Sequence, residues 1–190
     1  MTRGSRTRRS LNTFHAVLVV GTSLIPGAAW SQSAPAMPRV RSENRRIEQR
    51  ITAASAASVT LRGLVEAING TNGIVYVESG QCGHGVQACL THKIHVAEPN
   101  RFLFIKVNLR RDCTELMGAI GHELHHALDV LRDPGITTTQ DMFFHPLHGM
   151  SMSSTGRFET SAASKAGLQI ERELRKTTTR AGASGFACQP

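Results

Sequence analysis

The strongest constraint on how this chain folds is a five-residue run, His122-Glu123-Leu124-His125-His126, in which His122, Glu123 and His126 make an H-E-x-x-H pattern. The pattern carries chemistry only on an α-helix, where residues four apart lie on one face. There His122 and His126 aim two imidazoles at one point, the arrangement of a helical zinc site. Glu123 sits about 100° round the helix from His122. It is placed to reach a water on the metal rather than to act as a third ligand on the same face. Two ligands, one general base and one water made acidic by the metal are the parts a zinc hydrolase needs.

The flanks support a helix. Asp112 is a good N-cap, and Glu115, three residues on, completes a capping box. Between Asp112 and Arg132 the only Gly or Pro residues are Gly118 and Gly121. Leu116, Met117, Ile120, Leu124, Leu128 and Leu131 recur at helical spacing and gather on one side. His122, His126, Glu115 and Ala119 fall on the other side, which the spacing predicts to be a separate polar face. The alternative is a solvated face whose histidines bind nothing. His125, about 60° from His122 on the other flank, is expected behind the site or in solvent.

A catalytic zinc site usually has three protein ligands and one open position. A metzincin would need a glycine three residues after His126 and a histidine six residues after it. Asp129 and Arg132 stand there, which excludes that class. The gluzincin pattern instead takes a Glu from a second helix. Ser154-Thr155-Gly156-Arg157-Phe158-Glu159 is predicted to open such a helix, with Ser and Thr supplying the cap. Glu159, Ala162, Ala163, Ala166 and Ile170 then form a stripe, and the small alanines let two helices approach closely. An unpaired carboxylate on such a stripe is costly to bury, and a metal removes that cost. The alternative is that Glu159 sits in a first helical turn where the macrodipole favours it. Asp129, Asp133, His145 and His148 are competing third ligands.

The segments Gly121-His122-Glu123-Leu124-His125-His126-Ala127-Leu128-Asp129-Val130 and Arg157-Phe158-Glu159-Thr160-Ser161-Ala162-Ala163 resemble small secreted bacterial zincin-like proteins of the gluzincin, HExxH…E metallopeptidase type. The resemblance spans about residues 112–176, with only the layout alike upstream. It implies His122, His126 and Glu159 as zinc ligands and Glu123 as the catalytic base. One departure stands out. Such peptidases often place a Tyr or His donor beside the reacting carbonyl, and the one tyrosine here, Tyr76, lies far upstream.

A chain of 190 residues supports one domain. Residues 1–31 are expected to be a signal peptide: Arg3, Arg6, Arg8 and Arg9 precede a short apolar run ending at Ala29, and Ala29-Trp30-Ser31 offers small residues for cleavage. Thr7-Arg8-Arg9-Ser10-Leu11 also resembles a twin-arginine export signal. The apolar run is short for a membrane span, an uncleaved anchor being the alternative. Removing residues 1–31 takes away four arginines and no acids, so the formal charge falls from +8 to +4 and the basicity is partly that of the targeting segment. No nucleic-acid motif accompanies the remaining charge. The expectation is a periplasmic or secreted protein with no stable membrane span after cleavage, no nucleic-acid partner, and a peptide or protein substrate.

Four cysteines remain, Cys82, Cys89, Cys113 and Cys188. An even count in an exported chain predicts two disulfides with three possible pairings, one of which joins Cys82 to Cys89 and Cys113 to Cys188. Zinc ligation by these thiols is the rival reading, and no C-x-x-C pair supports it.

Residues 32–50 are expected to be a flexible N-terminal segment: Ser33 to Arg39 is Pro/Ala-rich, and charged Arg41 to Arg50 reads as a fraying helix or as disordered. Ser58 to Asn69 is predicted to be a helix ended by Asn69-Gly70. Ile74 to Glu78, Ile94 to Ala97 and Phe102 to Asn108 are predicted strands, Phe102, Phe104 and Lys106 on one face and Leu103, Ile105 and Val107 on the other. Residues 133–156 read as a long loop, the length of which suggests a cleft border, with Phe143 and Phe144 as pocket-lining candidates. The fold expected is α+β: a minimal zincin-like domain over 51–190, its small β-sheet packed on the H-E-x-x-H helix, with a second ligand-bearing helix. The function expected is an exported zinc-dependent hydrolase, a metallopeptidase. The alternative is a non-catalytic zincin-like envelope domain whose zinc is structural, closed by a fourth ligand such as His145 or His148, acting as a binding module.

Overall fold

The computed structural model describes residues 37–83, 85–110, 112–144, 150–152 and 158–180. The signal peptide expected at 1–31 lies outside them, as do His145, His148 and Cys188.

Val40–Arg41 (β1) pairs in parallel with Gly73–Ser79 (β2), Val40 opposite Val75. Two helices, Arg45–Ala57 (α1) and Val59–Asn69 (α2), run between them. Asn44 caps α1: its side chain accepts from the amides of Arg46 and Ile47 at 3.0 and 3.4 Å. Ile47, Ile51 and Ala54 recur along one face and are buried. The flexible stretch expected to residue 50 is thus corrected from residue 40 onward: of the two readings for Arg41 to Arg50 the helix holds, but it is anchored in the core, and the boundary at 51 falls inside α1. Exposed Arg45, Arg46 and Glu48 mask the two isoleucines that anchor it. Ser58 joins the helices. Its amide bonds to Ala54 O at 2.8 Å, closing α1, and its hydroxyl accepts from Leu61 N at 3.0 Å, opening α2 where the sequence places the start.

Ala88–Ala97 (β3) and Asn100–Val107 (β4) complete a mixed four-stranded sheet of order β1-β2-β4-β3. β4 lies parallel to β2, with Leu103 opposite Val75, and β3 runs antiparallel along the edge. The fold is therefore α+β. β3 is longer than the 94–97 strand expected, because its register shifts between Leu90 and Ile94. Thr91, His92 and Lys93 bulge out opposite Phe104 alone, which removes the alternation that announces a strand.

The two faces of β4 divide as the alternation predicts. Leu103, Ile105 and Val107 are buried with Val75 and Val77 against Leu116, Met117, Ile120, Leu124 and Leu128 of Cys113–Arg132 (α3). The outer face carries Tyr76 between Phe102 and Phe104, ring centroids 6.4 and 5.9 Å away. Arg101 shares the inner face and is buried. Its guanidinium donates to the carbonyls of Val130, Leu131, Asp133 and Ile136 and so caps the C-terminal end of α3. Burial lowers its pKa, opposed by the charge of Asp133.

The loop expected over 133–156 is interrupted by Thr139–Phe144 (α4) and Met150–Met152 (β5). Thr138 and Asp141 supply a reciprocal cap for α4: Asp141 Oδ2 accepts from Thr138 N at 2.8 Å and Thr138 Oγ1 accepts from Asp141 N at 3.1 Å. Phe158–Thr160 (β6) pairs antiparallel with β5 and leads into Ser161–Arg180 (α5). Glu173 of α5 reaches α2, accepting from Ser58 Oγ at 2.6 Å and from Thr60 N at 3.1 Å. Cys82 and Cys89 form a disulfide, and Cys113 is disulfide-bonded as well, so no described cysteine is free. Among the described residues no single helix is long and apolar enough to cross a membrane; α1 and α2 pass that test only as a pair bent by 115°.

Candidate metal centre

Asp112 starts α3 with a cap that departs in detail from the expected box. Its Oδ1 accepts from Thr114 N at 2.9 Å and Glu115 N at 3.3 Å. Glu115 does not reach back to it but accepts from Gln87 Nε2 at 3.4 Å. The helix then runs unbroken through His122 and His126, and its turn brings their Nε2 atoms to 3.1 Å. Glu159 Oε2 lies 3.2 Å from His122 Nε2. One ligand atom from each of the three falls within 4.8 Å of the others.

The polar face expected for α3 is corrected, because α5 covers it. His126 is only 6% exposed, and Gly118 and Gly121 are buried. A Cβ at Gly121 would stand 2.1 Å from Ile170 Cδ1, and one at Gly167 would stand 2.9 Å from Gly118 O. Glycine on both helices, more than the alanines, thus allows the close approach. On the expected stripe Ala163 and Ile170 are buried, while Ala162 faces solvent. Glu159 is corrected too. It lies in β6, opposite Ser151, and not in a first helical turn. Thr160 caps α5, its Oγ1 accepting from Ala163 N at 3.1 Å. Glu159 precedes that cap, so a place in the first turn of the helix does not account for it.

The electrostatics of the cluster suit a cation. Burial lowers the His126 pKa to about 4, with His122 and then His125 adding to the shift. Burial also lowers the pKa of His122, opposed by Glu159 and assisted by His125. Both rings are therefore neutral at pH 7 and present lone pairs. Two imidazole nitrogens and a carboxylate oxygen at this spacing hold too few protons to bond to one another fully, and a divalent ion accepts all three lone pairs at once. Neutral nitrogen plus carboxylate oxygen is a donor set zinc takes readily. His126 Nδ1 is buried with no hydrogen-bond partner among the described residues.

Of the other candidates, His145 and His148 fall outside the described residues, and the described ones lie elsewhere. Asp129 Oδ2 is 3.1 Å from His125 Nδ1, so His125 is engaged behind the cluster. Asp133 Oδ1 accepts from Gly135 N at 2.8 Å beyond the end of α3. Neither carboxylate belongs to the three-residue group. Tyr76 stands on the outer face of the sheet. Phe143 is 56% exposed and meets His92 edge-on at 5.9 Å.

Glu123 lies outside the metal group and accepts from the backbone amide of Leu90 at 2.7 Å. This contact, like the roles of Gly167 and Arg101, joins residues far apart in the chain and is not announced by the residues around it. The burial of Arg101 alone has a visible signal, since the alternation that buries Leu103 and Ile105 puts it on the same face.

Comparison of the chain with protein-family models, with curated proteins and with solved structures returns no match.

Proposed function

We propose that the chain is an exported zinc-dependent hydrolase, a metallopeptidase of the gluzincin type. His122, His126 and Glu159 would hold the ion, and Glu123 would be the general base. The convergence of the three ligand atoms within 4.8 Å carries this reading, because Glu159 is brought there from 33 positions beyond His126 by a separate strand. A bound zinc ion would supply Lewis acidity, lowering the pKa of water towards about 7. Glu123 would take the proton from the attacking water and pass it to the leaving amine. The amide of Leu90 fixes one oxygen of that carboxylate. Neutral His122 and His126 keep their lone pairs for the ion at working pH. The Cys82–Cys89 disulfide fits an oxidising compartment, in keeping with export.

The test is digestion of a broad peptide library by refolded, zinc-loaded mature protein beside its Glu123→Gln variant. Cleavage by the first and a loss of about 100-fold or more in the second supports the assignment. Zinc held by both with cleavage by neither would leave a zinc-stabilised binding module in its place.

A further inference from the structure

We infer that the Cys82–Cys89 disulfide is a positioning element for Glu123, acting through the backbone amide of Leu90. This rests on the reading of Glu123 as the base for its consequence in turnover, but not for its structural content.

The hydrogen-bond phase of β3 explains why Leu90 is available. Asn108 N donates to Gln87 O at 2.8 Å, so in the antiparallel β3–β4 ladder the bonded pairs fall on Gln87 and Cys89. Leu90 N–H then points away from β4, across the open edge of the sheet. Glu123 Oε2 receives it at 2.7 Å. A strand edge thereby holds a side chain of the metal-bearing helix.

That piece of edge is short. Ala88, Cys89 and Leu90 are in register with Val107, Lys106 and Ile105, but the bulge interrupts the ladder until Ile94. On the other side lies a loop with Gly83 and Gly85 at positive φ, a conformation glycine adopts without strain. The short ladder from Gln87 to Leu90, set between a glycine loop and a bulge, frays more easily than a strand continued at both ends. The disulfide from Cys82 to Cys89 closes the loop at the residue next to Leu90. It keeps the loop from pulling the rung away, and thereby keeps Leu90 N–H on the carboxylate. His122, His126 and Glu159 come from α3 and β6 and touch one another without Leu90, so the metal group does not depend on this rung.

The experiment is residue-resolved amide hydrogen exchange on the full mature chain, comparing wild type with Cys82→Ser/Cys89→Ser, with Glu123→Ala, and with the triple variant. The Glu123 carboxyl carbon resonance and a zinc titration are followed alongside. Exchange at Leu90 should rise at least about tenfold in the double serine variant while Val75, Val77 and Leu103 keep their protection. Glu123→Ala should raise Leu90 exchange similarly, and the triple variant should add little to either. The Glu123 carboxyl resonance should move in the double serine variant and zinc affinity should not. Unchanged Leu90 exchange, or a rise spread evenly over the core strands, would overturn the inference. So would an unmoved Glu123 resonance. Should the double serine variant fail to fold, reduction of folded protein by a dithiol, the dithiol becoming a disulfide as the two thiols form, is compared between wild type and a Cys113→Ser variant, so that the effect of opening the Cys113 bond is separated from that of Cys82–Cys89. Failure of peptide cleavage in wild type would count against the hydrolase reading and leave these exchange results standing on their own.

Discussion

Gly167 of α5 faces the backbone carbonyl of Gly118 on α3 so closely that a Cβ at position 167 would stand 2.9 Å from that oxygen and 3.3 Å from His122 Cβ. The obstacle is helix backbone, which has nowhere to swing. Close approach of α3 and α5 and placement of the Glu159 carboxylate are therefore linked, because Glu159 enters α5 through Thr160.

Gly167→Ala should push the helices apart. Overpacking of this kind costs about 1–3 kcal/mol, partly offset by about 1 kcal/mol of helix propensity. Denaturant unfolding should show a net loss, and zinc titration should show weaker binding, since His122 and Glu159 are on opposite sides of the contact. Wild-type values for both would show that α3 and α5 yield at this point.

Arg101 should matter to the metal helix without touching the metal. Its guanidinium serves four carbonyls at the end of α3, and a substitution leaves them without that donor. Arg101→Leu should lower unfolding stability by about 3 kcal/mol. Arg101→Lys should recover only part of this, because an ammonium lacks the planar fork. Equal stability of both variants and wild type in urea would mean that water replaces the guanidinium.

Much of this arrangement is legible in the sequence because helix periodicity is local. The span of α2, the start of α3 at Asp112 and the two faces of β4 need only neighbours in the chain. The rest depends on partners far away. Ile47 and Ile51 look like interruptions in a charged run until a core lies under them. Thr91, His92 and Lys93 hide a strand because a bulge breaks its period. The three metal candidates are legible by residue type and spacing, whereas the strand beneath Glu159 is not, since Phe158-Glu159-Thr160 pairs with a segment, Met150–Met152, that itself lacks a pattern.

The metal-free protein should lose stability in mild acid earlier than carboxylates alone would cause. The folded-state pKa of His126 is about 4 against 6.5 for the free side chain, through burial first and then His122 and His125. Above pH 6.5 neither state binds the proton, and the contribution is intact. As pH falls from 6.5 towards 4 the unfolded chain takes up the proton first, so stability declines by about 3 kcal/mol over the window. The lowered pKa of His122 acts in the same direction. Urea midpoints of chelator-treated protein between pH 7 and 4.5 read this directly, and His126→Leu should flatten the slope. A flat profile in wild type between pH 7 and 5 would refute the burial of a neutral His126.

Glu159 gives the sharpest test of the centre, because two structural roles and one chemical role separate at this residue. It lies in β6 and precedes the Thr160 cap, so the helix loses no cap when its carboxylate goes. Its side chain is 38% exposed, so removing it opens no sealed cavity. In metal-free protein, Glu159→Ala should therefore change unfolding stability by no more than about 1 kcal/mol, the scale of one part-exposed hydrogen bond. Zinc is another matter. Two histidines and water rarely hold the ion firmly, so affinity should fall by about 100-fold or more in Glu159→Ala. Glu159→Gln keeps the shape but brings no charge, and should bind almost as weakly. The stabilisation that zinc gives the wild-type fold should shrink in proportion, since binding to the native state is linked to folding. Isothermal titration of the metal-free variants, with unfolding curves at matched zinc, measures both quantities. A wild-type zinc affinity in Glu159→Ala would remove Glu159 from the ligand set and leave His122 and His126 to complete the site with a donor outside the described residues.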